Sequence, residues 1–284
     1  MFSFLQQNGV IRLKTSSSKT LISSCSFFKN NANADGGSLY ILNDECVQSK
    51  ICCTFSSASN FGGFSRVESS GRKFLFESSI SSCSASLCSF YHLNGNSQIN
   101  NINSSFHDIW CGAGYAIESP SVESNLNFST VINCSSSYQG VVYNALGVIS
   151  IKRCNYMMNK MKGTDGVLCC DSTTSFTECC FINNTGNKLF DNLSPTVTKC
   201  YFDNKEVSNT GNAIIVSTTG PFDLHLSHFS TGNCEATNIS IKEQEDEDDI
   251  GVHPKYIKGK IEMLKNSSII QLANITMSWI YIKY

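Results

Sequence analysis

Carboxylates, histidines and cysteines are the residues here that could do chemistry, and their spacing does not assemble a reaction. The acids Asp35, Asp108, Asp165, Asp171, Glu178, Asp191 and Asp203 are scattered along the chain. Cleaving a polysaccharide needs two carboxylates facing one bond, or a carboxylate cluster holding calcium, often beside a base. The nearest approach is Asp165, Asp171 and Glu178 with Lys152 and Arg153, where Arg153 precedes Glu178 by 25 residues. These are weak catalytic candidates, and a solvated loop face explains them more simply. The histidines, His92, His107, His225, His228 and His253, are dispersed and read as packed or surface residues rather than ligands. The chain has 15 cysteines but no C-x-x-C, the spacing that would argue for zinc or redox chemistry. No G-x-S-x-G elbow occurs, and "GAGYAI" at 112 to 117 lacks the third glycine of a dinucleotide loop. No catalytic set, cofactor site or metal site is expected.

Composition narrows the class. The chain of 284 residues has 41% hydrophobic content, enough for a sizeable core, yet only 15% of its residues are charged. Ser, Asn and Gly are abundant, so the surface is one of hydroxyls and amides. A net charge of -2, with no Lys or Arg from Phe74 to Ile151, offers no field for nucleic acid or acidic lipid. No run is long and apolar enough for a membrane span; the nearest, 267 to 282, contains Gln271 and Asn274. The opening "MFSFLQQNGVIRLKTSSSKT" lacks the apolar core of a secretion signal. It reads as a first strand or a truncated start.

The positioning elements emerge from a repeat. "CSFFKNNANADGG" at 25 to 37 places a thiol and two phenylalanines before an Asn/Asp/Gly bend, and the pattern returns. Aligned on a small or thiol residue, the anchors are Cys25, Cys53, Cys83, Ser105, Val131, Cys154, Cys179, Cys200 and Ser227, with a mean spacing near 25. An aromatic stands two residues later at Phe27, Phe55, Tyr156, Phe181, Phe202 and Phe229. Alternating segments such as "VISIKRC" and "TSFTECC" precede the anchors, and short apolar runs such as "GGSLYI" and "NAIIVS" follow. Strands this short cannot bury a face alone. Stacked one coil on another at about 4.8 Å, they pair all backbone groups and align their inward side chains in columns. The expectation is an all-β parallel solenoid of nine coils over 1 to 242, an acidic linker at 243 to 252, and C-terminal strands forming a last coil or cap at 253 to 284. The leucine-rich alternative is excluded because no L-x-x-L-x-L-x-x-N run occurs.

"FFKNNANADGGSLYI" resembles the repeat of bacterial polymorphic outer-membrane proteins, an F-x-x-N tetrad followed by G-G-A-(I/L/V). Here these are Phe28 to Asn31, then Gly36, Gly37, Ser38 and Leu39, with related tetrads at Tyr156 to Asn159, Phe181 to Asn184 and Tyr201 to Asn204. Over roughly residues 20 to 240 the pattern also resembles the pectin-lyase-like right-handed β-helix proteins of trichomonad-type protists. The resemblance implies a right-handed coil and a cell-surface or adhesin-like role. The paired aspartates and Gly-His-Gly of pectin hydrolases have no counterpart in this sequence.

The cysteines of the repeat, Cys25, Cys53, Cys83, Cys154, Cys179 and Cys200, are expected as a buried structural column with Phe27, Phe55, Tyr156, Phe181 and Phe202. Reduced packing thiols, some disulfides, and a metal are the readings left open, in that order. Eight N-x-S/T sequons begin at Asn103, Asn127, Asn133, Asn183, Asn192, Asn238, Asn266 and Asn274 and would carry glycans only in a secreted chain. Two function classes follow: a non-enzymatic interaction protein binding a protein or glycan along one side, or a carbohydrate-active enzyme, intact or degenerate. A longer surface protein of which this is one piece is compatible with the first. A carboxylate cleft with a base would favour the enzyme; ladders of Ser, Thr, Asn and aromatics would favour binding.

Overall fold

The computed structural model describes residues 10–15, 18–203 and 209–221, together with the backbone of 277–283. They form an all-β parallel solenoid of about 8 turns, with no helix among the described residues. Coils begin at Ile11, Leu39, Ser65, Phe90, Tyr115, Val142, Gly166 and Lys188, and are numbered one to eight from these residues. Nine coils were expected; the ninth anchor, Ser227, lies outside the described residues, as do Phe229, the acidic linker and 253 to 276. The strand Met277–Lys283 pairs antiparallel with coil one, from Lys19↔Lys283 to Cys25↔Met277.

The coils carry a first, second and third side, and coils one to seven also a short fourth segment. In coil two these are Leu39–Asn43, Glu45–Ser49, Cys52–Thr54 and Ser57–Ala58. Burial alternates residue by residue, as in Leu39–Asn43, because successive side chains leave a strand on opposite faces. The third side shows what stacking achieves. One inward column runs Phe27, Cys53, Ile80, Ser104, Val131, Tyr156, Phe181 and Phe202. Its aromatic end is a stack, Tyr156 on Phe181 at 5.4 Å and Phe181 on Phe202 at 5.1 Å. A buried ring of this kind contributes roughly 1.5–3 kcal/mol by leaving water.

The coil turns its corners with single left-handed residues. Between second and third sides these are Ser24, Lys50, Glu77, Asn101, Phe128, Arg153, Glu178 and Lys199, with φ from 44° to 62°. Between third and fourth they are Lys29, Phe55, Ser82, Phe106, Asn133, Met158 and Asn183, with φ from 50° to 58°. Each such turn aims the next N–H inward, where no strand can accept it. At five of the later corners and four of the earlier ones a side chain one coil ahead accepts it instead. At the later corner, Ser56 N–H meets the Cys83 thiol, Cys83 N–H the His107 ring at 3.0 Å, and His107 N–H the Cys134 thiol. Cys134 N–H then meets the Asn159 carbonyl at 3.0 Å, and Asn159 N–H that of Asn184 at 3.1 Å. At the earlier corner Ser78, Ser129, Cys179 and Cys200 serve Ile51, Ile102, Cys154 and Cys179. Where loops also stack backbone on backbone only glycine fits: a Cβ on Gly37 would lie 2.0 Å from the Gly63 carbonyl oxygen.

Register corrects the expected column. Cys25, Cys154, Cys179 and Cys200 share one position, continued by Ile51, Ser78, Ile102 and Ser129. Cys53 instead lies over Phe27, Val131 belongs to that same column, and Cys83 sits at the later corner. Phe55 faces outward, 47% exposed. Likewise the tetrads at Tyr156 and Phe181 are in phase, whereas in coil one the inward pair is Phe27 and Asn30 rather than Phe28 and Asn31. In coil eight the inward ring is Phe202, not Tyr201. Coils differ in length by a few residues, so alignment on residue type slips by one or two, and a slip of one exchanges inside for outside.

Asn184 also donates to the Tyr156 carbonyl at 2.9 Å. Asn184→Ala would leave an N–H and a carbonyl buried without partners and should lower unfolding stability by about 3 kcal/mol, measured by denaturant titration.

Candidate functional site

The corner residues project their side chains outward as a ladder. Between second and third sides it reads Lys50, Glu77, Asn101, Phe128, Arg153, Glu178 and Lys199. Lys50 approaches Glu77 at 4.0 Å, Arg153 lies over the Phe128 ring at 5.5 Å, and Arg153 Nε donates to Glu178 at 2.7 Å. That hydrogen bond holds the Glu178 carboxyl below its ordinary range. The ladder's far end opens into a shallow groove of about 850 Å³ lined by Phe128, Arg153, Glu178, Lys199, Ser217, Thr218 and Thr219. Beside it the second side presents hydroxyl and amide columns, Asn125, Ser150, Ser175 and Thr196 in one and Asn127, Lys152, Thr177 and Thr198 in the next.

The groove unites two of the weak catalytic candidates and disperses the others. Arg153 and Glu178 are ion-paired neighbours, with Lys152 one residue away on the second side. Asp165 accepts from Gln139 N–H at 2.9 Å in a loop, and Asp171 stands on the first side against Ala145. Asp191 is tied to Lys188 at 2.6 Å and to Gly166 N–H at 3.0 Å. Asp35 holds Arg66 at 2.9 Å, and that guanidinium also lies over the Phe61 ring at 5.1 Å. Asp35, Asp165 and Asp191 therefore fasten loops and ladders. Among the described residues, no group of three or more His, Cys, Asp or Glu is placed to hold a metal ion, and no helix is long and apolar enough to cross a membrane.

His92 and His107 are fully buried, and burial pushes both rings down, to about 3 and about 4, so they are neutral. His225, His228 and His253 lie outside the described residues. Of the sequons, Asn103 is buried in a strand, so the folded chain closes it to modification. Asn127, Asn133, Asn183 and Asn192 lie at the surface, the last donating to the Cys169 sulfur at 3.0 Å; Asn238, Asn266 and Asn274 are not among the described residues. Lys73 escaped the reading of charges altogether. It is fully buried, its ammonium held by the carbonyls of Ser69, Leu93 and Asn94, and burial pushes it down to about 8. Its only signal was alternation, which puts Lys73 in phase with inward Leu75.

Thirteen described cysteines are free and buried, and Cys52 is disulfide-bonded. Compared with protein-family models, curated proteins and solved structures, the chain finds no match. The molecule is defined by its fold, a parallel β-solenoid with a charged and aromatic corner ladder.

Two outcomes follow for the thiols. A maleimide should leave the 13 free ones unmodified in native protein and label them all in denaturant, counted by mass spectrometry. Burial raises Cys46 and Cys134 to about 12 from an ordinary value of 9.0. Thiols with raised values stabilise fully below pH 9 and lose that contribution as pH climbs toward 12. These two alone should cost roughly 3 kcal/mol per pH unit. Lys73, with its lowered value, acts oppositely between about 8 and 10.5 but offsets only one thiol. Denaturation midpoints should fall steeply above pH 9.

Proposed function

We propose that this protein is a non-enzymatic recognition scaffold, surface or adhesin-like in role, that binds an extended protein or glycan segment along its side. The observation that carries the reading is the groove at the corner ladder. It offers an aromatic face at Phe128, a cation at Lys199 and the hydroxyls of Ser217, Thr218 and Thr219 within one shallow groove. An extended ligand lying along the axis meets structurally equivalent positions about every 4.8 Å, which suits a repetitive chain. The second-side columns of Asn, Ser and Thr continue that hydrogen-bonding surface. Arg153 neutralises the one carboxylate among the groove's described lining residues, which leaves it poorly suited to acid/base work.

The test is binding of the intact chain to arrayed glycans and arrayed peptides, alongside Phe128→Ala and Lys199→Ala. Retention of one ligand class, weakened about tenfold by each substitution, is the expected result. New reducing ends or unsaturated products released from a polysaccharide would establish the enzyme instead, and binding indifferent to both substitutions would remove the groove from the reading.

A further inference from the structure

Of the two described histidines, His107 has a task at a corner, where its ring accepts the Cys83 N–H at 3.0 Å. His92 has none. It stands on the first side of coil four, in an inward column that reads Ile41, Val67, His92, Ile117 and Asn144. The ring is fully buried and meets Phe90 edge-on at 5.7 Å, yet among the described residues neither Nδ1 nor Nε2 has a hydrogen-bond partner. Past the next corner of the same coil, Ser97 also points inward, fully buried, its hydroxyl likewise unpartnered. Ser65, one coil back, adds a further buried hydroxyl in the same state. Buried polar atoms left in this condition are costly, and a fold that keeps several together supplies them with a partner.

Small side chains leave this wedge of the interior short of carbon. Ser65 stands in its column between Leu39 and Phe90. Ser97 and Ser124 follow one another in a column that Ile149 continues, and the Ser124 hydroxyl accepts the Ser97 N–H at 2.9 Å. Polar walls with room between them are the conditions under which an interior holds water.

The charges decide the class of ligand. Lys73 neighbours Ser97 in the same column, but its three N–H donors are already directed at the carbonyls of Ser69, Leu93 and Asn94, so none is left for an anion. His92 is neutral, because burial and the Lys73 charge both push its ring down. Among the described residues, no group of three or more His, Cys, Asp or Glu is placed to hold a metal ion. A neutral imidazole and a hydroxyl each donate one hydrogen bond and accept another, so the ligand must be small, uncharged and able to do both.

We propose that the interior of coil four binds water, with at least one molecule bridging a ring nitrogen of His92 to the Ser97 hydroxyl. This level of the stack is satisfied through solvent, where the corner acceptors of other coils act directly, and His92 serves as a water ligand.

The test uses the full chain, crystallised at a resolution that orders internal water, with a second crystal soaked in bromide. An ordered peak within about 3.2 Å of a His92 nitrogen and of Ser97 Oγ is expected, without an anomalous bromide signal. In solution, oxygen-17 relaxation dispersion should count at least one more long-lived internal water in the native chain than in Ser97→Val, which fills the wedge with carbon. Should that variant not fold, the density of the native chain decides alone. A dry corner, a bromide peak between the two residues, or equal water counts in the native chain and folded Ser97→Val would overturn the proposal.

Discussion

The structure depends on what happens to the N–H that follows each left-handed corner. A solenoid must turn sharply several times per coil, and one residue at positive φ does so at the expense of pointing a donor into the core. An unpaired donor there costs on the order of 1–3 kcal/mol. The recurrent answer, at the later corner of coils two to six and at four of the earlier corners, is a side chain one coil ahead that supplies an acceptor. The corner is thereby locked to its neighbour, and the spacing of coils is fixed by side chains as well as by strand pairing.

That requirement explains a mixture of residues that otherwise looks like chemistry. Cys83, His107, Cys134, Asn159 and Asn184 occupy one position in successive coils. A thiol, an imidazole and an amide share little except an acceptor at similar reach. His107 serves through Nδ1, which must be unprotonated, and burial keeps the ring neutral. Burial raises the Cys83 and Cys134 thiols, away from the thiolate that a nucleophile or metal ligand needs. At this position the residues that invite a catalytic reading serve as acceptors for the corner N–H groups.

Because corners are settled from inside, their outward side chains are free to vary. One corner carries charges of both signs and an aromatic ring beside a groove. The stacked scaffold turns a single position in the repeat into a linear array on the surface. Charged side chains on this array mostly satisfy one another, as Arg153 with Glu178 and Lys50 with Glu77, so their net field is small.

Alternation, a period near 25 and the aromatic and asparagine bends were legible in the sequence because each rests on a local rule: side-chain direction in a strand, and the conformations Asn and Gly tolerate. They determined the all-β solenoid, its short strands and a buried thiol and aromatic interior. The register was not legible. Cys53 and Phe55 match the anchor and aromatic of Cys25 and Phe27 by type, yet hydrogen bonding between coils places Cys53 over Phe27 and turns Phe55 outward. Nor could Lys50, Phe106 or Met158 be recognised as left-handed corners, since nothing in those residue types favours positive φ; the coil above and below imposes it. The groove is the last instance. Arg153 and Glu178 stand 25 residues apart in the chain and 2.7 Å apart in space, because only the stacked coils convert one period of sequence into one step along the axis.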